Sequence, residues 1–429
     1  MQNFASGNNS GGPSGPAFTE TPIHRQWLLD QASKIYAFFQ PASYNPAGGF
    51  HGLDFDGRPI VPESNNGDIR EIHSTARMVH CAVIAHHLGV SGADRIVDHG
   101  MQFLWNRHRD HKRGGYFWGA DDTSAAIPTK NVYGHAFVLL AAASAKTMGH
   151  PDADRLLNDA TSILLNRFWD AEVGAATEEY DADWNEIGNY RGQNSNMHLT
   201  EALMSACEVT GDRRYLEMAQ SIANLIINVH ARAEDWRVPE HFDNNWRVDR
   251  DYAGNPIFRP SGTTPGHALE WSRLLIQLWE LGKRQDDWMP EAAQNLFLTA
   301  CETGWDEGSG GFFYTLNWDD TPAKRDRYWW PCCEGLAAAS ALFKSSRDAQ
   351  FELWYRRIFS FIKHNFVDHR RGGWYPELDA YLKPVERVFR GKPDLYHAFQ
   401  ACLIPLLTTD GSLCHQLQIT DNQSVLKLK

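Results

Sequence analysis

Five histidines recur at matching places along the chain, each near the start of a predicted apolar helix. They are found in "EIHSTARMVH" (His73), "NVYGHAFVLL" (His135), "NSNMHLTEAL" (His198), "TTPGHALEWSRL" (His267) and "KPDLYHAFQA" (His397). Glu334 in "WWPCCEGLAAA" takes the corresponding place in a sixth segment. A helix N-terminus carries partial positive charge, which helps to keep imidazole neutral near pH 7. Because neutral imidazole can accept a proton, we predict that His267 and His397 form an acid and base pair.

A structural role for these histidines is the alternative interpretation. A single histidine at such a place more often packs in the core or bonds to backbone, whereas five in register favour at least one functional pair. His73 and His135 are the two that we expect to be structural.

Carboxylates follow two of the histidines after three residues, Glu201 after His198 and Glu270 after His267. On one helix face this spacing suits a metal ion, the orientation of an imidazole or the binding of hydroxyl groups. The adjacent cysteines at residues 332–333 point about 100° apart on a helix, and no paired thiol spacing occurs elsewhere in the sequence. This pattern does not favour a zinc site held by cysteines. We predict neither a metal ion nor a cofactor.

Composition and charge exclude several classes of partner. The 429 residues are 42% hydrophobic with a formal net charge of -12, which is unsuited to a nucleic-acid backbone. The longest apolar run, "AFVLLAAASA" from Ala136, covers about half of a membrane span. The first 22 residues lack the basic start and apolar centre of a secretion signal, and the seven cysteines suit reduced, buried thiols. We therefore predict a cytoplasmic protein without nucleic-acid or membrane partners.

A short turn recurs at regular spacing, built from an acidic or amide residue, a polar spacer, small residues and then aromatics. Its copies are "NPAGGFHGLD", "DHKRGGYFWG", "DAEVGAATEEY", "DEGSGGFFY" and "DHRRGGWYPEL", and "VPEHFDNNW" stands in the sixth place. Between the turns, apolar residues recur every three or four positions, which predicts helices. Outer helices with charged faces are predicted near residues 24–39, 92–107, 152–168, 212–230, 288–303 and 347–366. Inner helices, apolar all round, are predicted near residues 71–88, 131–147, 194–210, 266–282, 331–345 and 394–408.

Twelve alternating helices favour a closed double ring over an open solenoid, which shows tighter repeats and distinct caps. We predict an all-α fold, an (α/α)6 toroid of six helical hairpins with short β-hairpins in the connecting turns. It spans residues 23–408 as one domain, between a flexible N-terminal tail (1–22) and a C-terminal tail (409–429). The starts of the inner helices then surround one end of a central cavity.

Tryptophans are concentrated in the turns and at the starts of the inner helices. They are Trp118, Trp184, Trp246, Trp271, Trp329, Trp330 and Trp374. Flat aromatic faces can stack on sugar rings while neighbouring polar side chains bind hydroxyl groups. This mixture predicts a carbohydrate ligand.

A series of motifs along residues 23–408 resembles the N-acylglucosamine 2-epimerase superfamily, within it the aldose-ketose isomerase branch. The motifs, in order, are "TARM", "NVYGHAF", "RGQNSNMHLTEA", "PEHFD", "PGHALEW", "RYWWP", "GGWYPEL" and "GKPDLYHAFQ". The resemblance implies an α/α-toroid enzyme, an intramolecular oxidoreductase that interconverts D-mannose and D-fructose, and also D-lyxose and D-xylulose, without a metal ion. A histidine would remove the carbon-2 proton of the opened aldose, giving a cis-enediol(ate) that regains a proton at carbon 1.

The same resemblance implies roles for individual residues. His397 would be the principal proton shuttle, and His267 would assist ring opening and proton movement between the two oxygens. Substrate would be bound by Arg77, Tyr133, Asn194, His198, Glu270, Glu334 and Trp330.

Other functions stay open on the sequence. A 2-epimerase uses the same two histidines, and a sulfosugar isomerase is disfavoured because Pro393 stands where those relatives carry Gln. An inverting glycoside hydrolase would draw a carboxylate pair from Glu201, Glu270 and Glu334, and a non-catalytic sugar-binding protein would use the same pocket. The sequence leaves a homo-oligomer open, and the polar segment 171–193 is the predicted lid.

Overall fold

The computed structural model describes residues 17–61, 68–252, 254–255 and 259–419. Six inner helices form the wall of the central space: α2 (Ile72–His87), α4 (Val132–Thr147), α6 (Gln193–Thr210), α8 (Pro265–Leu281), α10 (Trp329–Ser346) and α12 (Tyr396–Leu403). Six outer helices surround them: α1 (Pro22–Phe39), α3 (Ala93–Phe103), α5 (Ala153–Ile163), α7 (Arg213–Ala223), α9 (Trp288–Gly304) and α11 (Ala349–Phe361). All twelve predicted helices are present in the predicted order.

The inner helices form a closed ring. Each one contacts the next along the chain, and α12 returns to contact α2. Each outer helix packs mainly on one inner helix, α1 on α12 and the others on the inner helix that precedes them. This arrangement is the predicted (α/α)6 toroid.

Burial of the side chains explains why the two rings differ in sequence. In α4, "VYGHAFVLLAAASAKT", every residue except Lys146 is buried, because the helix is surrounded by protein on all sides. In α3, only one face is buried, including Val97 and Met101, while Asp94 and Arg95 face solvent. Outer helices α3, α5, α7 and α11 continue into π-helical turns, at Leu104–His108, Leu164–Phe168, Asn224–Ala231 and Ile362–Phe366. The repeated ending confirms the internal repeat seen in the sequence.

Short antiparallel strand pairs connect neighbouring repeats. Four of them join the residues before an inner helix to the turn of the next repeat: β1 (Arg70–Glu71) with β2 (Gly119–Ala120), β3 (Lys130–Asn131) with β6 (Glu179–Tyr180), β7 (Arg191–Gly192) with β8 (His241–Phe242), and β11 (Arg327–Tyr328) with β12 (Glu377–Leu378). Single bridges, Thr263 to Leu316 and Leu53 to Lys392, make the same link before α8 and α12. Six equivalent links therefore hold the starts of the inner helices in one ring.

Short β-hairpins are also present within the turns, as predicted. Among the described residues, two of them are paired strands, β4 (Trp169–Asp170) with β5 (Ala175–Ala176) and β9 (Thr315–Leu316) with β10 (Pro322–Lys324), and others are single bridges such as Arg109 to Tyr116 and Val367 to Trp374. The glycine pair in one of the recurrent turns, Gly114 and Gly115, has φ values of 82° and 79°. Only glycine adopts this left-handed conformation at little cost, which explains its recurrence there.

The chain ends differ from the predicted tails. Residues 1–16 lie outside the described part of the chain, but Ala17 and Thr19 are buried, and the Phe18 N–H donates to Glu352 of α11 at 2.6 Å. Within the predicted C-terminal tail, α13 (Leu413–Ile419) packs on α2, α4 and α6. This segment is part of the domain and not a tail, because the apolar residues of α13 are buried against the inner helices.

The importance of α13 for stability can be measured directly. Leu417 is 3% exposed, and we expect its replacement with alanine to lower the free energy of unfolding by about 2–5 kcal/mol through the lost apolar contacts and the resulting cavity. Ile419, in the same helix, is 66% exposed, so Ile419→Ala serves as the matched control with little effect. Urea unfolding of both variants measures the difference, and equal stabilities would show that α13 adds nothing to the core.

All seven cysteines are buried free thiols, as predicted. Among the described residues, none of the helices combines the length and the apolar character that crossing a membrane requires.

Candidate active site

A cavity of about 230 Å³ lies at the end of the barrel where the inner helices begin. Both predicted catalytic histidines, His267 and His397, line it. So do six predicted substrate-binding residues, Arg77, Tyr133, Asn194, His198, Glu270 and Trp330. A larger depression of about 490 Å³ between α1 and α3 has Arg95 as its single charged lining residue and offers no acid-base pair. The chemistry is therefore concentrated at the starts of the inner helices.

His267 is held by a buried carboxylate. It lies in the first turn of α8, which begins at Pro265, a residue favoured at this position because its φ already suits a helix. Its Nδ1 lies 2.8 Å from Oε2 of Glu240, and Gln193 donates to the same oxygen at 2.7 Å. Burial raises the pKa of Glu240, but the charge and hydrogen bond of His267 outweigh this and leave the pKa below its ordinary value. The ionised carboxylate fixes the proton on Nδ1 and leaves Nε2 available to a substrate.

His397 has an equivalent arrangement on the neighbouring part of the ring. Its Nδ1 lies 2.8 Å from Oε1 of Glu334, whose other oxygen accepts from Nε of Arg273 at 3.0 Å. Glu334 is not among the residues that line the cavity, because its carboxylate points to the histidine and the arginine behind the wall. That it binds substrate stays a prediction.

Trp330 lies against both histidines. The centroid of its ring system is 5.0 Å from that of His267 and 5.8 Å from that of His397. Gly266 permits this contact, since a Cβ there would lie 2.5 Å from the Trp330 ring. Two imidazoles, each oriented by a carboxylate, are thereby brought within reach of one small molecule.

Glu270 and His198 lie side by side in the wall, with Nδ1 of His198 3.7 Å from Oε1 of Glu270. Burial lowers the pKa of His198 to about 4, so its imidazole is neutral at pH 7. Burial and the negative charge of Glu334 raise the pKa of Glu270 well above its ordinary value. Oε1 of Glu270 makes no hydrogen bond with the described residues, and a protonated carboxyl group here can donate to a sugar oxygen.

Arg77 supplies a fixed positive charge. Its guanidinium donates to Oδ2 of Asp394 and to the hydroxyl of Tyr133, both at 2.9 Å. The same group lies 4.5 Å from the Phe137 ring centroid and 4.8 Å from that of Tyr396. These contacts hold the guanidinium in one place on the cavity wall.

Two groups of side chains approach the geometry of a metal site. Glu270 belongs to both, with His198 and Glu201 in one and with Glu334 and His397 in the other, and the ligand atoms of each group lie within 4.8 Å. However, Nη2 of Arg273 is 3.6 Å from Glu201 and 3.8 Å from Glu270. A buried guanidinium among the carboxylates opposes a second cation by charge repulsion, so this donor set does not suit a metal ion.

Several lining residues were not predicted from the sequence to bind or convert a substrate. They are Glu71, His73, Ser74, Phe389, Pro393 and Asp394. His73 was expected to be structural, but it lines the cavity and stacks on Trp118 with ring centroids 5.1 Å apart. His135 does have the expected structural role, since its Nε2 accepts from the Tyr116 N–H at 3.0 Å.

Only tertiary contacts reveal the remaining members. Glu240 and Asp394 occur in the motifs "PEHFD" and "GKPD". These motifs were recognised in the sequence, but no role was assigned to either residue. Of the seven tryptophans chosen for sugar stacking, Trp329 and Trp330 line the cavity, while Trp271 is fully buried and donates to Gln193 at 2.8 Å. The predicted lid, segment 171–193, contributes none of the lining residues. The loop before α12 supplies Phe389, Pro393 and Asp394 instead.

Comparisons with known proteins agree with this geometry. The family model of N-acylglucosamine 2-epimerase (GlcNAc 2-epimerase) matches residues 48–401. A D-mannose isomerase of Pseudomonas cannabina pv. alisalensis is 41% identical over 405 residues, covering 92% of this chain and 96% of the relative. A D-mannose isomerase of Thermobifida fusca is 40% identical over 409 residues, covering 93% and 98%. The crystal structure of a D-mannose isomerase superposes with a TM-score of 0.84 at 32% identity, covering 92% of this chain and 99% of the other.

Proposed function

Because the chain belongs to the N-acylglucosamine 2-epimerase family, we propose that it is an aldose-ketose isomerase that interconverts D-mannose and D-fructose. The observation that carries this proposal is the pair of histidine-glutamate dyads on one cavity, His267 with Glu240 and His397 with Glu334. The D-mannose isomerases among its relatives support the choice of sugar.

In the proposed reaction, the sugar ring opens and Nε2 of His397 takes the proton from carbon 2. The electron pair of that bond forms the carbon-carbon double bond of a cis-enediolate, with negative charge on the oxygen of carbon 1. Arg77 stabilises this charge through its guanidinium, and Glu270 does so by donating a hydrogen bond when its carboxyl group is protonated, a form that its raised pKa favours. His397 then returns the proton to carbon 1.

Proton movement between the two oxygens completes the balance. The hydroxyl group on carbon 2 loses its proton as its oxygen becomes the ketone, and the oxygen on carbon 1 gains one. His267 mediates this transfer and assists the opening of the ring, since the carboxylate of Glu240 binds Nδ1 and directs Nε2 to the substrate. No oxidant or reductant enters, because one substrate carbon is reduced while its neighbour is oxidised.

The lining favours a neutral monosaccharide. Arg77 is the single lysine or arginine among the described lining residues, and Asp394 already balances its charge. Pro393 offers no side-chain donor to a sulfonate. D-lyxose, which lacks the terminal hydroxymethyl group of mannose, is expected to react to D-xylulose. We further propose a cytoplasmic location, where buried thiols such as those of this chain stay reduced.

Incubation of the purified protein with D-mannose in the presence of a chelator tests the proposal. D-fructose, followed by chromatography, is the expected product, and absence of a ketose would contradict the assignment. Deuterated solvent separates the isomerase from a 2-epimerase, since the first places deuterium on carbon 1 of fructose and the second on carbon 2 of glucose.

A further inference from the structure

Arg273 lies behind the cavity wall at the centre of a group of buried carboxylates. It belongs to α8, is 2% exposed and is absent from the cavity lining. Its Nε donates to Oε2 of Glu334 at 3.0 Å, and its Nη2 is 3.6 Å from Oε1 of Glu201 and 3.8 Å from Oε1 of Glu270. The three carboxylates come from α10, α6 and α8. One guanidinium therefore lies among three inner-helix acids and donates a hydrogen bond to one of them, Glu334.

The carboxylates near this guanidinium do not behave alike. Burial disfavours ionised Glu334, yet the charge of Arg273 and the hydrogen bond from His397 hold the pKa of Glu334 below its ordinary value. Burial and the charge of Glu334 raise the pKa of Glu270 well above its ordinary value. Neighbouring acids with pKa values pushed apart can perform different tasks, one as a fixed anion and the other as a proton donor.

We propose that Arg273 is a positioning residue of the isomerase, which selects Glu334 as the ionised carboxylate and thereby holds the His397 proton on Nδ1. With that proton fixed, Nε2 of His397 is free to take the carbon-bound proton. The inference rests on the proposed function of His397. Arg273 itself touches no substrate, because it lies outside the cavity.

Among the described residues, the charged and titratable groups that face Glu334 are Arg273 and Glu270 from α8, Glu201 from α6, His397 from α12 and the buried thiol of Cys333 from α10. Among these, Arg273 is the single permanent cation. Its removal leaves Glu334 facing two other acids, so Glu334 takes a proton more readily. A protonated Glu334 no longer favours the Nδ1–H form of His397, and the base at Nε2 is lost.

Arg273→Gln is the direct test. Outer partners of functional histidines are worth about 10- to 100-fold in the metal sites where they have been measured, and we expect a loss of kcat in this range at pH 7. The pKa of Glu334 should rise, so kcat should be lost at a higher pH than in the wild type as the solution is acidified. KM should change little. Arg273→Lys keeps the positive charge, so it should restore part of kcat at pH 7 and part of the activity that Arg273→Gln loses at acidic pH.

Two comparisons separate this role from a merely structural one. Arg109→Gln removes an arginine paired with Asp159 in the outer ring at 2.7 Å, and its pH profile should match the wild type. In a Glu334→Gln background, Arg273→Gln should add little further loss of kcat, since Arg273 acts on His397 only through Glu334. Fully additive losses would overturn the proposal. If Arg273→Gln alone fails to fold, Arg273→Lys takes its place in the comparison, and fully additive losses in the Glu334→Gln background would overturn the proposal in the same way.

A measurement without substrate separates the inference from the proposed function. Long-range proton-nitrogen spectra of the histidine rings should show His397 with its proton on Nδ1 in the wild type and a mixture of tautomers in Arg273→Gln. If the wild type makes no fructose but the tautomer shifts, the proposed function fails and the inference stands. An unchanged tautomer together with an unchanged pH profile overturns the inference.

Discussion

Replacing His397 with alanine should lower kcat for the conversion of D-mannose about 10³-fold, because the group that moves the carbon-bound proton is removed. The fold should survive, since the buried ring is a small part of the core and the inner-helix ring remains closed. Initial rates of fructose formation and a thermal unfolding curve measure both effects. His364→Ala, the same chemical change at an exposed histidine beyond α11, is the matched control and should retain full activity.

Deuterium exchange makes this prediction more specific. If His397 takes the proton from carbon 2, its alanine variant should lose exchange of that proton with solvent in parallel with the loss of fructose formation. A variant that folds normally and keeps near wild-type turnover would remove His397 from the mechanism.

Replacing His267 with alanine should lower kcat about 10²-fold, because proton movement between the two oxygens and ring opening lose their catalyst. His397 still exchanges the carbon-bound proton in this variant. The ratio of deuterium exchange to fructose formation should therefore rise, as measured by NMR of the recovered sugar. Glu240→Gln should show the same pattern with a smaller loss, since it weakens the orientation of His267 without removing the imidazole.

The opposite pattern would reverse the two assignments. If the His267 variant loses exchange and turnover together while the His397 variant retains exchange, His267 takes the carbon-bound proton. Both histidines have a buried glutamate on Nδ1, so geometry alone makes either one a competent base. The exchange ratio decides between them.

Much of the fold follows from local sequence patterns. The alternation of small, apolar inner helices such as α4 with amphipathic outer helices such as α3 is written in residues three and four positions apart. The recurrence of the glycine turns set the number of repeats, and five histidines in register marked the functional end of the barrel. Each of these signals is short in range, so it can be recognised without knowing which segments meet.

The assignment of Glu334 shows where such patterns stop. Its place in the repeat is equivalent to that of the histidines, which predicted a residue facing the substrate. In the structure its carboxylate is taken by His397 and Arg273, which lie on two other inner helices. Position within a repeat fixes where a helix begins, but the side-chain partners are supplied by neighbouring helices.

The sequence by itself predicted the twelve helices and their arrangement in a closed double ring. It also indicated the two histidines of the proposed reaction. Only the tertiary structure decided which groups control them, because these partners are distant along the chain: 27 residues separate His267 from Glu240, 63 separate His397 from Glu334, and 317 separate Arg77 from Asp394. Closure of the ring brings these pairs together, and burial away from water makes each contact strong enough to fix a proton or a charge.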